Sequence, residues 1–156
     1  GGPEIEKHAR EGNPKSFIFP RAHLKDAPFD FSFSGLKTAV LYQLQKLDDP
    51  QAHLADLCAS FQDAVIDALV KKTIKAALQT GHTLIALSGG VACNRAMQEA
   101  LTCAAQNAGM KVQPTPPALT TDNAGMIALA ALLASENHPS DSLEIGIDPN
   151  LALATP

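Results

Sequence analysis

The stretch Thr83-Leu84-Ile85-Ala86-Leu87-Ser88-Gly89-Gly90-Val91-Ala92-Cys93-Asn94 decides the fold class. Its first five residues form a continuous apolar run, the pattern of a strand covered on both faces. The run passes straight into a Ser-Gly-Gly turn. A helix is predicted from about Cys93 to Asn107, with Gly109 as its cap. Lys111–Pro114 reads as a second strand. Strand, helix and strand within about thirty residues make a parallel β-α-β unit with a right-handed crossover. The expected class is therefore helix-rich α/β.

Upstream the period changes to that of helices. Leu54, Leu57, Phe61, Val65, Leu69 and Ile74 line one side of a long helix over 50–80. Asp49 is its expected N-cap, Pro50 its first residue and Gly81 its terminal cap. A shorter helix over 35–47 carries Leu36, Val40 (or Leu41 in its place), Leu44 and Leu47 and stops at Asp48-Asp49-Pro50. Residues 1–34 are loop-rich, punctuated by Pro3, Pro14, Pro20 and Pro28, with a short helix over Glu4–Glu11. Five of the six Phe fall in Ser16–Phe19 and Phe29–Ser34, and their alternation suggests extended backbone with one face buried. Downstream, a Pro/Thr-rich loop over Pro114–Thr121 leads to a helix over Asn123–Glu136 and then a tail. The chain shows no internal repeat.

Composition excludes several classes. The 156 residues are 46% hydrophobic and 18% charged, which excludes a disordered linker. The longest apolar run, near Ala128–Ala134, is too short to cross a membrane. No charged and apolar leader pattern opens the chain. Its first residue is Gly1, so it is expected to begin inside a longer protein or to have lost a tag. Net charge is −4, where a simple nucleic-acid binder is usually basic. Only residues 1–37, with six Lys/Arg against five Asp/Glu, offer a modest basic patch, through Lys7, Arg10, Lys15, Arg21 and Lys25. An ordinary solvated surface fits those residues as well. Cys58, Cys93 and Cys103 fit no zinc spacing and read as reduced thiols that pack as small hydrophobes. His8, His23, His53, His82 and His138 show no zinc-protease spacing and read as surface residues.

Two places carry candidate chemistry. In parallel α/β folds, ligands bind outside the carboxyl ends of the strands. Gly89 and Gly90 lie there, where missing side chains let backbone N–H groups approach a phosphate, a ribose or an adenine face. Asn94, about one turn into the next helix, can hydrogen-bond a sugar hydroxyl or a base. A tight turn needing positive φ explains the two glycines equally well. The second place is Thr120-Thr121-Asp122-Asn123, where a carboxylate can hold a metal ion or simply cap a helix.

Four ordered segments carry a resemblance. They are Gly1-Gly2-Pro3-Glu4-Ile5, Asp30-Phe31-Ser32-Phe33-Ser34-Gly35-Leu36-Lys37-Thr38, Ser88-Gly89-Gly90-Val91-Ala92-Cys93-Asn94 and Thr121-Asp122-Asn123-Ala124-Gly125-Met126-Ile127. Together they resemble the C-terminal half of the bacterial TsaD (Gcp) family of tRNA N6-adenosine threonylcarbamoyltransferases, formerly labelled O-sialoglycoprotein endopeptidase. The resemblance implies the C-terminal part of an actin-like, sugar-kinase-type (ribonuclease H-like) ATPase fold. The whole chain, 1–156, then reads as half of a two-lobed enzyme. Residues 1–34 form its ligand loop and extended segment, 35–80 its helical part, and 81–156 its β-α-β unit, helix and tail.

The resemblance also implies transfer of a threonylcarbamoyl group from threonylcarbamoyl-adenylate to N6 of adenosine 37 in tRNAs that read ANN codons. It implies one iron or zinc ion, held by a His-x-x-x-His pair and a later aspartate that matches Asp122. Asn94 and Gly2 match positions at the adenylate, and Gly89 and Gly90 fit an adenosine-facing turn. The implied partners are TsaB and TsaE, and the implied setting is the cytoplasm, with no membrane. No His-x-x-x-His occurs in this chain, so it is expected to be inactive alone. No specific role attaches to Ser34 or Lys37. Two other readings stand beside this one. One is a metallopeptidase, as the older label has it. The other is a non-catalytic module whose helices over 35–47 and 50–80 dock a partner.

Overall fold

The 27-residue helix Leu54–Thr80 (α3) is the spine of the structure, a computed structural model that describes residues 1–21, 29–135 and 146. In chain order the elements are α1 (Gly2–Ala9), α2 (Ser34–Lys46), α3, β1 (Leu84–Leu87), α4 (Arg95–Asn107), β2 (Lys111–Pro114) and α5 (Ala124–Ser135). Short 3₁₀ turns occupy Gly90–Cys93 and Pro117–Leu119. The strands pair in parallel, Leu84 with Lys111 through Leu87 with Pro114, and α4 is the crossover between them. The helix-rich α/β class and the β-α-β unit are as the sequence predicts. His23, Lys25, Pro28, His138 and, apart from Gly146, the predicted tail lie outside the described residues.

The chain divides into two compact units, Gly1–Thr121 and Asp122–Pro156. The first has two apolar clusters, and α3 serves both. Its N-terminal half packs Leu57, Phe61, Ala64 and Val65 with Phe17, Phe19, Phe33 and Leu36. Its C-terminal half packs Ile66, Val70, Ile74 and Ala77 against Ile85 of β1, Met97 and Leu101 of α4, and Met110. The single apolar stripe expected on this helix is therefore two stripes. A helix of 3.6 residues per turn can turn successive faces to different neighbours when neighbours lie on more than one side.

Several boundaries move for physical reasons. Residues 2–9 are helical, so the Gly-Gly-Pro segment is the first turn of α1 and not a loop; Pro3 suits that turn because the N–H it lacks has no helical partner there. The helix predicted from Pro50 begins at Leu54. Asp49 instead accepts the N–H groups of Gln51 (3.0 Å) and Ala52 (3.2 Å), and Pro50–His53 form a turn ahead of the helix. Strand β1 is covered on one face rather than two: Ile85 is buried, whereas Leu84 is 60% exposed. Gly81 and Gly109 cap their helices with φ near +72°, as expected.

The segment after α1 lies along α3 through polar contacts spaced one helical turn apart. Asp56 accepts the Asn13 N–H (2.7 Å) and the Ser16 hydroxyl (3.0 Å). The buried Ser60 hydroxyl accepts the Phe17 N–H (3.1 Å) and donates to the Asn13 carbonyl (3.3 Å). Arg21 pairs with Asp63 and Asp67 one and two turns further on. Gly12 permits the close approach, because a Cβ there would lie 2.0 Å from the Ala55 carbonyl oxygen. Beyond the undescribed residues the same helix anchors the Phe/Ser motif. Lys72 donates to the Asp30 carbonyl and stands 5.3 Å from the centre of the Phe31 ring, which stacks on Phe33. The alternation of Phe31 and Phe33 thus puts both rings on one side, though Phe31 stays half exposed.

Two outcomes follow. Gly12→Ala forces the loop off α3 and should lower unfolding free energy by about 2 kcal/mol or more in urea titrations. The Asn13 N–H first, and then the Ser16 hydroxyl, hold the Asp56 carboxyl below its usual range. A lowered folded-state value means its contribution is present at neutral pH and is lost as pH falls through the ordinary carboxylate range toward that lower value. Asp56→Asn should therefore weaken the chain at pH 7 and flatten the acid limb of its stability–pH curve, read by thermal melts from pH 7 to 3.

Candidate functional site

The first unit carries a cavity of about 580 Å³, open to solvent on one side, between α1, the middle of α3, and the turn from β1 to α4. The turn begins at Gly89, whose φ of +86° with ψ of 169° is open to glycine and strained for other residues. The chain then winds through the 3₁₀ turn and enters α4 at Asn94. Gln98 holds that turn by donating to the Ala92 carbonyl (2.6 Å). The two glycines have separate duties: Gly89 shapes the turn, and Gly90 lines the cavity, where an added Cβ would meet no atom within 4 Å. Gly2, the first residue of α1, lines it from the other side.

Asn94 is the N-cap of α4, not a residue one turn inside it. Its Oδ1 accepts the Met97 N–H (2.9 Å), and its Nδ2 donates to Oε1 of Gln62 on α3 (2.7 Å). The cap is the reason the helix starts at Arg95 instead of Cys93. One lone pair of Oδ1 and one proton of Nδ2 are not used by these two bonds. The rest of the lining is largely apolar. Ile5, Phe61, Val65, Ile66, Val91 and Met97 give it apolar walls. Glu6 also faces the cavity, but its Oε1 accepts the Arg95 N–H (3.1 Å) and an Arg10 guanidinium N–H (3.4 Å). Concave, apolar walls with a few fixed polar groups are the usual makeup of a small-molecule site.

Of the predicted residues, then, Gly2, Gly90 and Asn94 meet at one cavity, although their motifs are far apart in the chain. Glu6 and Gln62 were not foreseen. Gln62 did carry a signal: it is a polar residue within the run Phe61, Val65 and Ile66 that faces the cavity. Asp122 opens the second unit and is exposed. It does not take the capping bond at the start of α5, since Asn123 Oδ1 accepts the Met126 N–H (3.1 Å). Among the described residues no three His, Cys, Asp or Glu side chains converge as a metal site. One carboxylate does not complete the coordination sphere of iron or zinc, so the described residues alone do not form the metal centre that the resemblance implies. Arg10 and Arg21, two members of the expected basic patch, are spent on ion pairs with Glu6, Asp63 and Asp67. Cys58 is partly buried, which pushes its thiol up, whereas Cys93 and Cys103 are exposed.

The family model for TsaD, tRNA N6-adenosine threonylcarbamoyltransferase, matches residues 1–129. This chain belongs to that family. A Symbiobacterium thermophilum protein named tRNA N6-adenosine threonylcarbamoyltransferase is 46% identical over 156 residues, covering 98% of this chain and 45% of the relative. Relatives of the same name from Syntrophotalea carbinolica and Clostridium botulinum are 47% and 43% identical, over 83% and 98% of this chain. The chain spans about half the length of the curated relatives it matches. The matched residues include every TsaD-like segment named above and the whole lining of the cavity.

Because Asn94 caps α4, Asn94→Ala should cost about 1 kcal/mol of stability, while Asn94→Asp, which keeps an acceptor for the Met97 N–H, should cost much less. Chemical denaturation of the two variants beside the parent chain measures both.

Proposed function

We propose that this chain forms the adenylate-binding part of a tRNA N6-adenosine threonylcarbamoyltransferase, acting in the cytoplasm with TsaB and TsaE. The observation that carries the reading is the meeting of Gly2, Gly90 and Asn94 at one cavity with apolar walls. A purine ring suits walls made by Ile5, Phe61, Val65 and Met97, and amide groups suit its ring nitrogens or the ribose oxygens. The glycines let backbone approach the ligand without a side chain between them.

The reaction proposed for the whole enzyme is acyl transfer. The N6 amine of a tRNA adenosine attacks the carbonyl carbon of threonylcarbamoyl-adenylate. The bond from that carbon to the phosphate oxygen breaks, AMP departs with the electron pair, and the amine gives up a proton. The mixed anhydride is already activated, so the enzyme's main work is to fix the acyl carbon against the amine. In this chain the cavity would hold the adenylate end of the donor. Asp122 is proposed as one ligand of a divalent iron or zinc ion whose other ligands come from outside this chain.

The test uses a full-length protein in which this chain is joined to the part of a relative it does not span. With TsaB and TsaE it should transfer labelled threonylcarbamoyl to tRNA; absence of transfer overturns the proposal. In the same protein, Asp122→Ala should lower the metal-to-protein ratio seen by elemental analysis. An unchanged ratio removes Asp122 from the ligand set.

A further inference from the structure

The hydrogen bonds at Asn94 form a directed series, and its direction is fixed at one end. The Met97 backbone N–H can only donate, so the atom of Asn94 that meets it at 2.9 Å must be Oδ1. The other end of the Asn94 amide is then Nδ2, a donor. Gln62 approaches it at 2.7 Å and must present Oε1. The orientation of both side-chain amides therefore follows from one backbone group, with no choice left at either residue. Both residues line the cavity, and both are partly buried.

We infer that Gln62 is a positioning residue: from the middle of α3 its Oε1 holds the Nδ2 end of the Asn94 amide, whose sense the Met97 N–H sets, so that the spare Nδ2 proton and the Gln62 amide are presented to the cavity ligand. With one lone pair of Oε1 given to Asn94, Gln62 keeps both Nε2 protons and a second lone pair, and Asn94 keeps one Nδ2 proton and one lone pair of Oδ1. Glu6, the acidic acceptor in the same lining, uses Oε1 for the Arg95 N–H and Arg10 and keeps Oε2 as a further acceptor. The spare amide protons suit ligand atoms that accept, such as an unprotonated ring nitrogen or a carbonyl, and Glu6 Oε2 suits a ligand hydroxyl. The matching of donors to acceptors in a mostly apolar cavity carries selectivity, because a mismatch leaves a polar group unpaired. The inference rests on the adenylate reading only for the identity of the ligand. The positioning itself is a property of the unliganded chain.

The test separates the two. In side-chain amide NMR spectra of this chain, the Asn94 pair, assigned by its loss in Asn94→Asp, should be shifted from the position of a solvent-exposed amide. Gln62→Leu should return it to that position while the Met97 N–H keeps its capped shift. Gln62→Glu is the decisive variant. A carboxylate still accepts from Nδ2, so the Asn94 signature should persist or strengthen. If the amides were reversed, with Gln62 as donor, Gln62→Glu would abolish the signature. That result, or an Asn94 signal indifferent to Gln62→Leu, overturns the inference. AMP is then the binding probe. Gln62→Leu should weaken its Kd by about tenfold, the value of one lost hydrogen bond of about 1.4 kcal/mol, and an unchanged Kd overturns the claim that Gln62 bears on the ligand. Failure of the parent chain to bind AMP, with the Asn94 signature intact and responsive to Gln62, counts against the adenylate reading and leaves the positioning standing.

Discussion

One helix with more than one buried face sets the rest of this structure. A helix packed on one side needs a single apolar stripe. α3 instead holds Phe17, Phe19 and Leu36 near its start and β1, α4 and Met110 near its end. Because its backbone hydrogen bonds are satisfied internally, its side chains are free to serve different neighbours at each turn. Polar residues that interrupt the apolar pattern become fastening points. Asp56, Ser60, Asp63 and Asp67 hold the segment over residues 13–21, and Lys72 holds Asp30 and Phe31. None of these five is a stray charge on a solvated face; each answers a named backbone or side-chain partner.

The cavity depends on the same constraint. Its floor is the stretch of α3 around Phe61, Gln62, Val65 and Ile66, and its far edge is the turn that leaves β1. Parallel pairing puts that turn at the carboxyl end of the strand, where the backbone must reverse quickly into a helix. Gly89 makes the reversal and Asn94 ends it by capping α4. The bond from Asn94 to Gln62 ties the loop to α3 at the same residue that caps α4. Glu6 adds a second tie, from α1 to the first N–H of α4. A pocket built from three separate segments thus has its geometry set by hydrogen bonds between them and not by any one loop.

The family resemblance made Gly2, Gly90 and Asn94 legible as candidate ligand contacts; spacing alone left the two glycines explained equally well by a tight turn. Their roles were less legible. Periodicity places helix ends only to within a turn, so it set Asn94 inside α4, where the cap geometry puts it at the end. Glu6 and Gln62 escaped notice because each has an ordinary reading on a helix surface; only contact with a segment far away in sequence gives either a task. Asp122 could not be told from a capping residue by spacing, and it is Asn123 that takes the cap. The apolar run of β1 read as doubly covered because hydrophobicity records what a residue prefers to touch, while Leu84 is exposed in this chain.

What the sequence determined by itself was local: the long helix, the strand–turn–helix–strand unit, the left-handed glycines and the family. Those depend on period, on backbone conformations that only certain residues adopt, and on ordered motifs, all of which are written along the chain. What tertiary structure alone decided was pairing. Which polar atom meets which, which face of α3 turns to which neighbour, and which way the Asn94 and Gln62 amides lie all depend on distances between residues that periodicity does not relate. Hydrogen bonds are short-ranged and directional, so their partners become readable only once the chain has folded.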